Sequence, residues 1–349
     1  LVEPAATNIC LQSEDINTTW TPGDATPTQS TEETPDGDTT NKYIKLVDDS
    51  GGGTGIVYVA QSRTFVAGTK YTASVFLKKD GLDWARLNIN DYDGTTDAIQ
   101  FYDLDTGVLG TGTNVDDATI EEYPNGWYRC SMTWTQGAGD TSSTFLIFLA
   151  QGDNNVTVDL DGTSSIFVWG AQVETGPIAT SYIPTTTASV TRNKDDITLG
   201  SASSLIGQTE GTLYVEVDWK SAGTNQWLLE VSDGTGSNRM VIYNTPAGDL
   251  RMYAVADGNT KTVQGESSAG YSGIQKIAFA YKTDDFELYR NGSSISSDTL
   301  GSLASLATLT DIDLGQNNGA GVQANMHIRA VALYPTRLSD AECEALTTL

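Results

Sequence analysis

Residues Gly211-Thr212-Leu213-Tyr214-Val215-Glu216-Val217-Asp218-Trp219 alternate in character along the chain. Leu213, Val215, Val217 and Trp219 fall at every second position, and Tyr214, Glu216 and Asp218 fill the positions between. Side chains alternate between the faces of a strand but recur every 3.6 residues on a helix, so this segment reads as a half-buried strand. Working outward, residues 226–231, 239–243, 250–255, 274–281, 286–290 and 328–334 read the same way downstream. Upstream, so do residues 71–77, 84–89, 126–134, 145–150 and 166–173. All are rich in β-branched and aromatic side chains. The connectors Asp91-Tyr92-Asp93-Gly94, Pro124-Asn125-Gly126 and Asp161-Gly162-Thr163 carry turn chemistry. Residues 21–40 are rich in Thr, Pro and Asp and read as a long surface loop. Only residues 339–346 read as a helix, with Ser339 as N-cap and Glu342 completing a capping box. The pattern predicts an all-β chain of two tandem antiparallel β-sandwiches with a short C-terminal helix. The Thr-rich run after Pro184 marks the boundary: a first domain over 1–187, a linker over 188–194 and a second domain over 195–349.

Composition narrows the function. The 349 residues suit two domains. Asp and Glu total 45 against 19 Lys and Arg, a net charge of −26. Such a chain repels phosphate backbones, which argues against direct nucleic-acid binding. The charge keeps a β-rich protein soluble, discourages edge pairing between copies, and suits a high-salt setting where repulsion is screened. No apolar run approaches the roughly 18 residues of a membrane span. With 38% hydrophobic residues, 7 Trp, 15 Tyr and 8 Phe, the chain can fill packed cores. Cys10, Cys130 and Cys343 form no metal spacing and read as buried thiols; a Cys10–Cys130 bridge has no support in the spacing. The sequence opens Leu1-Val2-Glu3-Pro4, with no initiating Met and no signal peptide, as a fragment or processed product would. Asn17, Asn155 and Asn291 start glycosylation sequons, which matter only in a source that glycosylates them.

Two resemblances add to this. Glu3-Pro4-Ala5-Ala6-Thr7-Asn8, Ser13-Glu14-Asp15 with Trp20, residues 71–78, and Asn125-Gly126-Trp127-Tyr128-Arg129-Cys130 occur in a fixed order. Phe167-Val168-Trp169-Gly170-Ala171-Gln172-Val173-Glu174 and Ala179-Thr180-Ser181-Tyr182-Ile183-Pro184-Thr185 follow. Together they make residues 1–190 resemble a module of phage virion proteins, especially tail fibres, with a jelly-roll fold like that of carbohydrate-binding modules. In the second half, Glu287-Leu288-Tyr289-Arg290-Asn291-Gly292 is a strand running into an Asn-Gly turn. Ile328-Arg329-Ala330-Val331-Ala332-Leu333-Tyr334 then leads into Leu338-Ser339-Asp340-Ala341-Glu342. These make residues 195–349 similar to the concanavalin A-like, laminin-G-like lectin sandwich. A fold alone indicates a ligand only weakly.

The residues themselves give little catalytic chemistry. His327 is the only histidine, and no nucleophile motif accompanies it. Concanavalin A-like folds include glycoside hydrolases, which need two carboxyls facing one bond. Glu216 and Asp218 share a strand face, but Ser221 stands where a third acid would complete the E-x-D-x-x-E pattern. A solvated face explains both acids. Calcium is a candidate cofactor: Asp91 and Asp93 with Asp97, and Asp159 with Asp161, could supply oxygens, and the resembled modules commonly hold structural Ca²⁺. Neither cluster is an EF-hand.

Sugar binding needs aromatic platforms beside amides and carboxylates. The candidates are Trp20, Trp84 and Trp134 in the first domain. In the second they are Trp227, Tyr243 and Tyr253, with Asn317 and Asn318 in a Gly-rich loop. Trp127 and Trp169 alternate with apolar neighbours and read as core. The expectation is a non-enzymatic phage virion protein, in a tail fibre or head fibre, that recognises a host surface polysaccharide. Capsid or tail decoration through protein contacts is the alternative, and a glycan-degrading enzyme a second one. The fibre resemblance implies a homotrimer and contacts with other virion proteins at the particle surface.

Overall fold

In a computed structural model, Glu210–Trp219 is a strand, hydrogen-bonded on one side to Gly273–Lys282 and on the other to His327–Tyr334. Leu213, Val215 and Val217 point into a core, as their spacing requires. The structure describes every residue except 139–140, 220–224, 268–272, 305 and 319–322; Ser221 and the side chain of Trp219 lie outside the described set.

The chain divides into two compact units. One is Ala6–Arg192; the other is Asn193–Leu349 together with Leu1–Ala5. Two observations bear on the expected boundary. Val190–Arg192, inside the segment read as a linker, is a strand antiparallel to Ala6–Asn8. Leu1–Ala5 goes with the second unit because Val2 and Met326 exchange both backbone hydrogen bonds (2.9 and 3.1 Å). Glu3 and Asp195 add a further pair, Glu3 N–H to Asp195 Oδ2 at 2.9 Å and Asp195 N–H to Glu3 O at 3.0 Å.

The first unit is a jelly roll of two six-stranded antiparallel sheets. One runs Val108–Thr113, Ala98–Asp103, Trp84–Asn90, Ser142–Ala150, Tyr58–Thr64, Thr21–Gly23. The other runs Asp117–Tyr123, Trp127–Thr135, Lys70–Lys79, Ser165–Thr175, Lys42–Asp48, Ala25–Ser30. Strand Lys70–Lys79 shows the logic of both: Tyr71, Ala73, Val75 and Leu77 enter the core between the sheets. Phe76 faces the other way, into a second cluster with Ile44, Trp127, Phe167 and Trp169. Trp127 and Trp169 are thus packed, as their apolar neighbours indicated. Residues 21–40 depart from the expected loop: Thr21–Gly23 and Ala25–Ser30 are edge strands, where Pro is tolerated because one side of the ladder is unpaired.

The second unit is the concanavalin A-like sandwich. Its six-stranded sheet runs Thr198–Leu199, Asp311–Leu314, Gln226–Ser232, Arg239–Asn244, Leu250–Ala256, Asn259–Glu266. Its five-stranded sheet runs Ser293–Asp298, Asp285–Arg290, Gly273–Lys282, Glu210–Trp219, His327–Tyr334. The helix Asp340–Thr347 starts at the predicted capping box. It lays Cys343 against Tyr214, Ala278, Ala280 and Tyr289 on the outer face of the five-stranded sheet. Among the described residues no helix covers the outer face of the six-stranded sheet.

Candidate functional site

That outer face is built by register. In an antiparallel sheet, residues directly opposite each other project to the same side. Thr198 opposes Asp313, Asp313 opposes Glu230, Glu230 opposes Val241, Val241 opposes Tyr253, and Tyr253 opposes Val263. One row therefore crosses all six strands. A second row joins Trp227, Tyr243 and Arg251. The intervening residues, Leu229, Val231, Met240, Ile242, Met252 and Ala254, fill the core beneath. Trp227 and Glu230 are three residues apart and would normally face opposite ways. A β-bulge between Trp227 and Leu229 inserts the extra residue that returns them to one side. Trp227 Nε1 accordingly donates to Glu230 Oε2 at 2.9 Å.

The result is a ladder of rings. Trp227 and Tyr243 have centroids 5.0 Å apart, and Tyr243 meets Tyr253 edge-on at 5.5 Å. The Arg239 guanidinium lies 5.1 Å above the Tyr253 ring. Trp227 is 8% exposed and forms the floor; Tyr243, Tyr253 and Arg239 are partly open. Glu230 is fully buried. Burial pushes its carboxyl pKa up, against the opposing effects of the Trp227 hydrogen bond, the Arg239 charge and the Asn318 backbone N–H, while Asp313 raises it further. Arg239 Nη1 stands 3.6 Å from Glu230 Oε2. Oε1 of Glu230 has no well-formed hydrogen bond among the described residues, nor does Oδ1 of Asn317, which is 6% exposed. Asp313 Oδ1 accepts from Thr198 Oγ1 at 2.6 Å; burial and then Asp311 and Asp196 raise its pKa. Burial pushes the Tyr253 hydroxyl up to about 12. The half-open Tyr243 and Tyr253 beside the Arg239 guanidinium can stack on the CH face of a sugar and bond its hydroxyls.

Of the residues singled out from sequence, the structure gathers Trp227, Tyr243 and Tyr253 in one ladder and brings the Asn318 backbone to Glu230. Glu230, Arg239 and Asp313 were missed. The signal for Glu230 was an acid inside an otherwise apolar strand, Trp227-Leu228-Leu229-Glu230-Val231. The first-unit candidates scatter. Trp134 is fully buried, with Tyr71 stacked on it at 5.7 Å and Phe65 edge-on at 5.6 Å. Trp20 is 4% exposed, against Phe145, with its Nε1 donating to Gln12 O. Both are core residues rather than ligand platforms, because their ring faces are covered. Trp84 is half-buried at a strand start against Gly110, where a Cβ would meet the ring at 2.6 Å.

The aspartates close turns. Asp93 Oδ1 accepts from the backbone N–H of Thr95 and Thr96 (2.9 and 2.7 Å), and its other oxygen from Thr96 Oγ1 (2.8 Å). These bonds hold its pKa down near 2. Asp97 accepts from the Asp91 backbone and from Asn88, Asp91 accepts from Asn90, and Asp161 accepts from Thr163 N and Oγ1. Asp159 is exposed, and its backbone carbonyl accepts from Ser164 Oγ. Among the described residues no three His, Cys, Asp or Glu side chains form a group that could hold a metal ion. Glu216 accepts from Arg329 Nε (2.9 Å) and Tyr214 OH (3.3 Å), on the same sheet that carries the helix. His327 is exposed and opposes Asp218. The three cysteines are buried and unbridged.

Residues 191–343 match the family described as the concanavalin A-like lectin/glucanases superfamily, a match that covers less than half of the chain. No curated protein matches the chain. Among solved structures, it is similar to the CBM40 domain of the Ruminococcus gnavus IT-sialidase, at 21% identity and TM-score 0.36, over 44% of this chain and 97% of that one. It is also similar to the NanB sialidase of Streptococcus pneumoniae, at 16% identity and TM-score 0.37, over 44% of this chain and 27% of that one. A heptameric SAP-like pentraxin from Limulus polyphemus is similar at 8% identity and TM-score 0.32, over 40% of this chain and 70% of that one. These are distant likenesses.

Proposed function

We propose that the chain is a phage virion protein that recognises a host surface glycan through the outer face of the six-stranded sheet. One observation carries this reading: the ladder Trp227–Tyr243–Tyr253, flanked by Arg239, on a sheet face that no helix covers among the described residues. Rings spaced about 5 Å apart along one face suit a saccharide lying across the strands, with its CH faces on the half-open Tyr243 and Tyr253 and its hydroxyls on Arg239. The match of residues 191–343 to a lectin and glucanase superfamily supports the ligand class. The virion setting, a homotrimeric fibre and contacts with other virion proteins rest on the sequence resemblance of residues 1–190. Glu230 and Asp313 are opposed carboxylates, but both are buried, so a non-catalytic role fits them better than glycoside hydrolysis, which needs carboxyls reaching the scissile bond.

The test is binding of fluorescently labelled protein to host cells before and after periodate oxidation of their glycans. Binding lost on oxidation, and lost equally in Tyr253→Ala on untreated cells, supports the reading. Binding that survives oxidation assigns the face to a protein receptor and rejects it.

A further inference from the structure

We propose that Arg86, on the outer face of a first-unit sheet, binds a carboxylate group. Strand register builds the place. Tyr58 opposes Phe148, Phe148 opposes Arg86, and Arg86 opposes Phe101. Residues directly opposite each other project to one side. The row Tyr58–Phe148–Arg86–Phe101 therefore crosses four strands on one face. Their chain neighbours Val59, Ala85, Leu87, Ile147, Leu149 and Tyr102 fill the core on the opposite face. Among the described residues no helix covers the outer side, and Tyr58, Arg86 and Leu146 are partly open there.

The row seats the cation. Arg86 Cζ lies 3.9 Å from the centroid of the Phe148 ring and 5.7 Å from that of Phe101. Tyr58 leans on Phe148 from the other side, with centroids 5.1 Å apart. Stacking on an aromatic face holds the guanidinium plane, so little side-chain freedom remains to be lost when a ligand is gripped. Trp84, two residues away on the same strand, packs over Gly110 instead and is outside the site.

The seated cation is unpaired. Among the described residues Arg86 makes no hydrogen bond and no ion pair. Acids are not scarce: the chain has 45 against 19 Lys and Arg, and Arg239, Arg251, Arg290, Arg329 and Arg337 each pair with one. Burial lowers the Arg86 pKa, and the one opposing charge is Asp97. That carboxylate already accepts from the Asp91 backbone N–H (3.0 Å) and from Asn88 Nδ2 (3.3 Å). Asp103, opposite Trp84, is taken up by the Thr106 hydroxyl (2.7 Å). Nε of Arg86 is buried, which leaves the two Nη groups as the open end of a half-buried side chain. Parallel N–H donors on a planar cation match the two oxygens of a carboxylate. Cover for Phe148 alone would be served by an apolar side chain. This site is independent of the ring ladder on the second unit.

The experiment is saturation-transfer NMR titration of the full chain with acetate, glucuronate and glucose, at constant ionic strength in chloride. The expected result is saturable binding of both carboxylates that Arg86→Met weakens at least tenfold, with an unchanged circular dichroism spectrum and no effect on glucose. Arg86→Met keeps an apolar cover on Phe148 and removes only the charged fork. Glucuronate binding at least tenfold more tightly than acetate makes a uronate-bearing glycan the source; a smaller difference makes it a free acid. Leu146→Glu sets a competing carboxylate on the same face, diagonal to Arg86, and is expected to weaken acetate binding at least tenfold, while Tyr253→Ala leaves it unchanged. Should Arg86→Met fail to fold, Leu146→Glu decides alone. Wild-type acetate affinity in either folded variant at this face, or no saturable binding of either carboxylate, overturns the proposal.

Discussion

Glu230 shows what a single buried acid does to this sheet. Its folded-state pKa is raised by burial, so the stability linked to it is fully present below its unfolded value of about 4.3 and is lost as pH rises through the folded value. Glu230→Gln removes that loss while keeping an acceptor for Trp227 Nε1. Its melting temperature relative to wild type should therefore climb between pH 4 and pH 8, by roughly 2–4 °C for each kcal/mol recovered. A difference that is flat with pH, or that falls, would show that Glu230 is not held in a neutral-favouring site. Conversely, Trp227→Phe keeps a ring but strips the donor from Glu230 Oε2, and should cost about 1–3 kcal/mol in urea unfolding. The cysteines give a sharper check. Burial pushes the thiols of Cys10 and Cys343 up to about 12 and about 11, and none of the three is bridged. A thiol reagent should label none in the native protein and all three in guanidinium; two missing sites under denaturant would mean a disulfide.

At the scale of elements, the helix Asp340–Thr347 is the best-read feature. Ser339 Oγ accepts from Glu342 N at 3.4 Å, and Glu342 Oε2 accepts from Ser339 N at 2.8 Å. Ser339→Ala should cost about 1 kcal/mol and Ser339→Asp much less, measured by chemical denaturation. Alternation placed the strands it marked to within three residues at each end. It missed the edge strands Ala25–Ser30, Asn259–Glu266 and Val108–Thr113, which carry Thr, Gly and Ser on exposed faces and bury too little to leave a period. It also missed the interior strands Lys42–Asp48, Tyr58–Thr64, Ala98–Asp103 and Asp311–Leu314, each of which sets a buried polar residue (Asp48, Gln61, Gln100, Asp313) among its apolar ones. The candidate site was half legible. Its aromatic rungs stand out by residue type, but the bulge that turns Trp227 toward Glu230 depends on pairing with Arg239–Asn244, which residue order alone does not specify. Trp20 and Trp134 looked equivalent to Trp227 in sequence; all three are buried, and only Trp227 lies against a half-open ring, Tyr243, where Phe145, Tyr71 and Phe65 enclose the other two.

Over the whole molecule, charge and chain path set the behaviour. A net charge of −26 repels itself, and many aspartates are spent closing Asp-x-Thr turns rather than forming ion pairs, as at Asp93, Asp161 and Asp233. Thermal stability should rise between 50 and 500 mM NaCl as the Debye length shrinks; a fall would mean that attractive ion pairs dominate. Because Leu1–Ala5 belongs to the second unit, deleting these residues should lower the calorimetric transition of that unit and leave the other in place.

Glycan binding by the second unit, as proposed, runs through its ring ladder. The most direct measurement is the affinity of purified host polysaccharide for wild type, Tyr243→Ala, Tyr253→Ala and, in the first unit, Trp84→Ala. Each tyrosine variant should bind at least tenfold more weakly, about 1.4 kcal/mol, with the affinity of Trp84→Ala unchanged. Full affinity in both tyrosine variants, or a loss confined to Trp84→Ala, would contradict it.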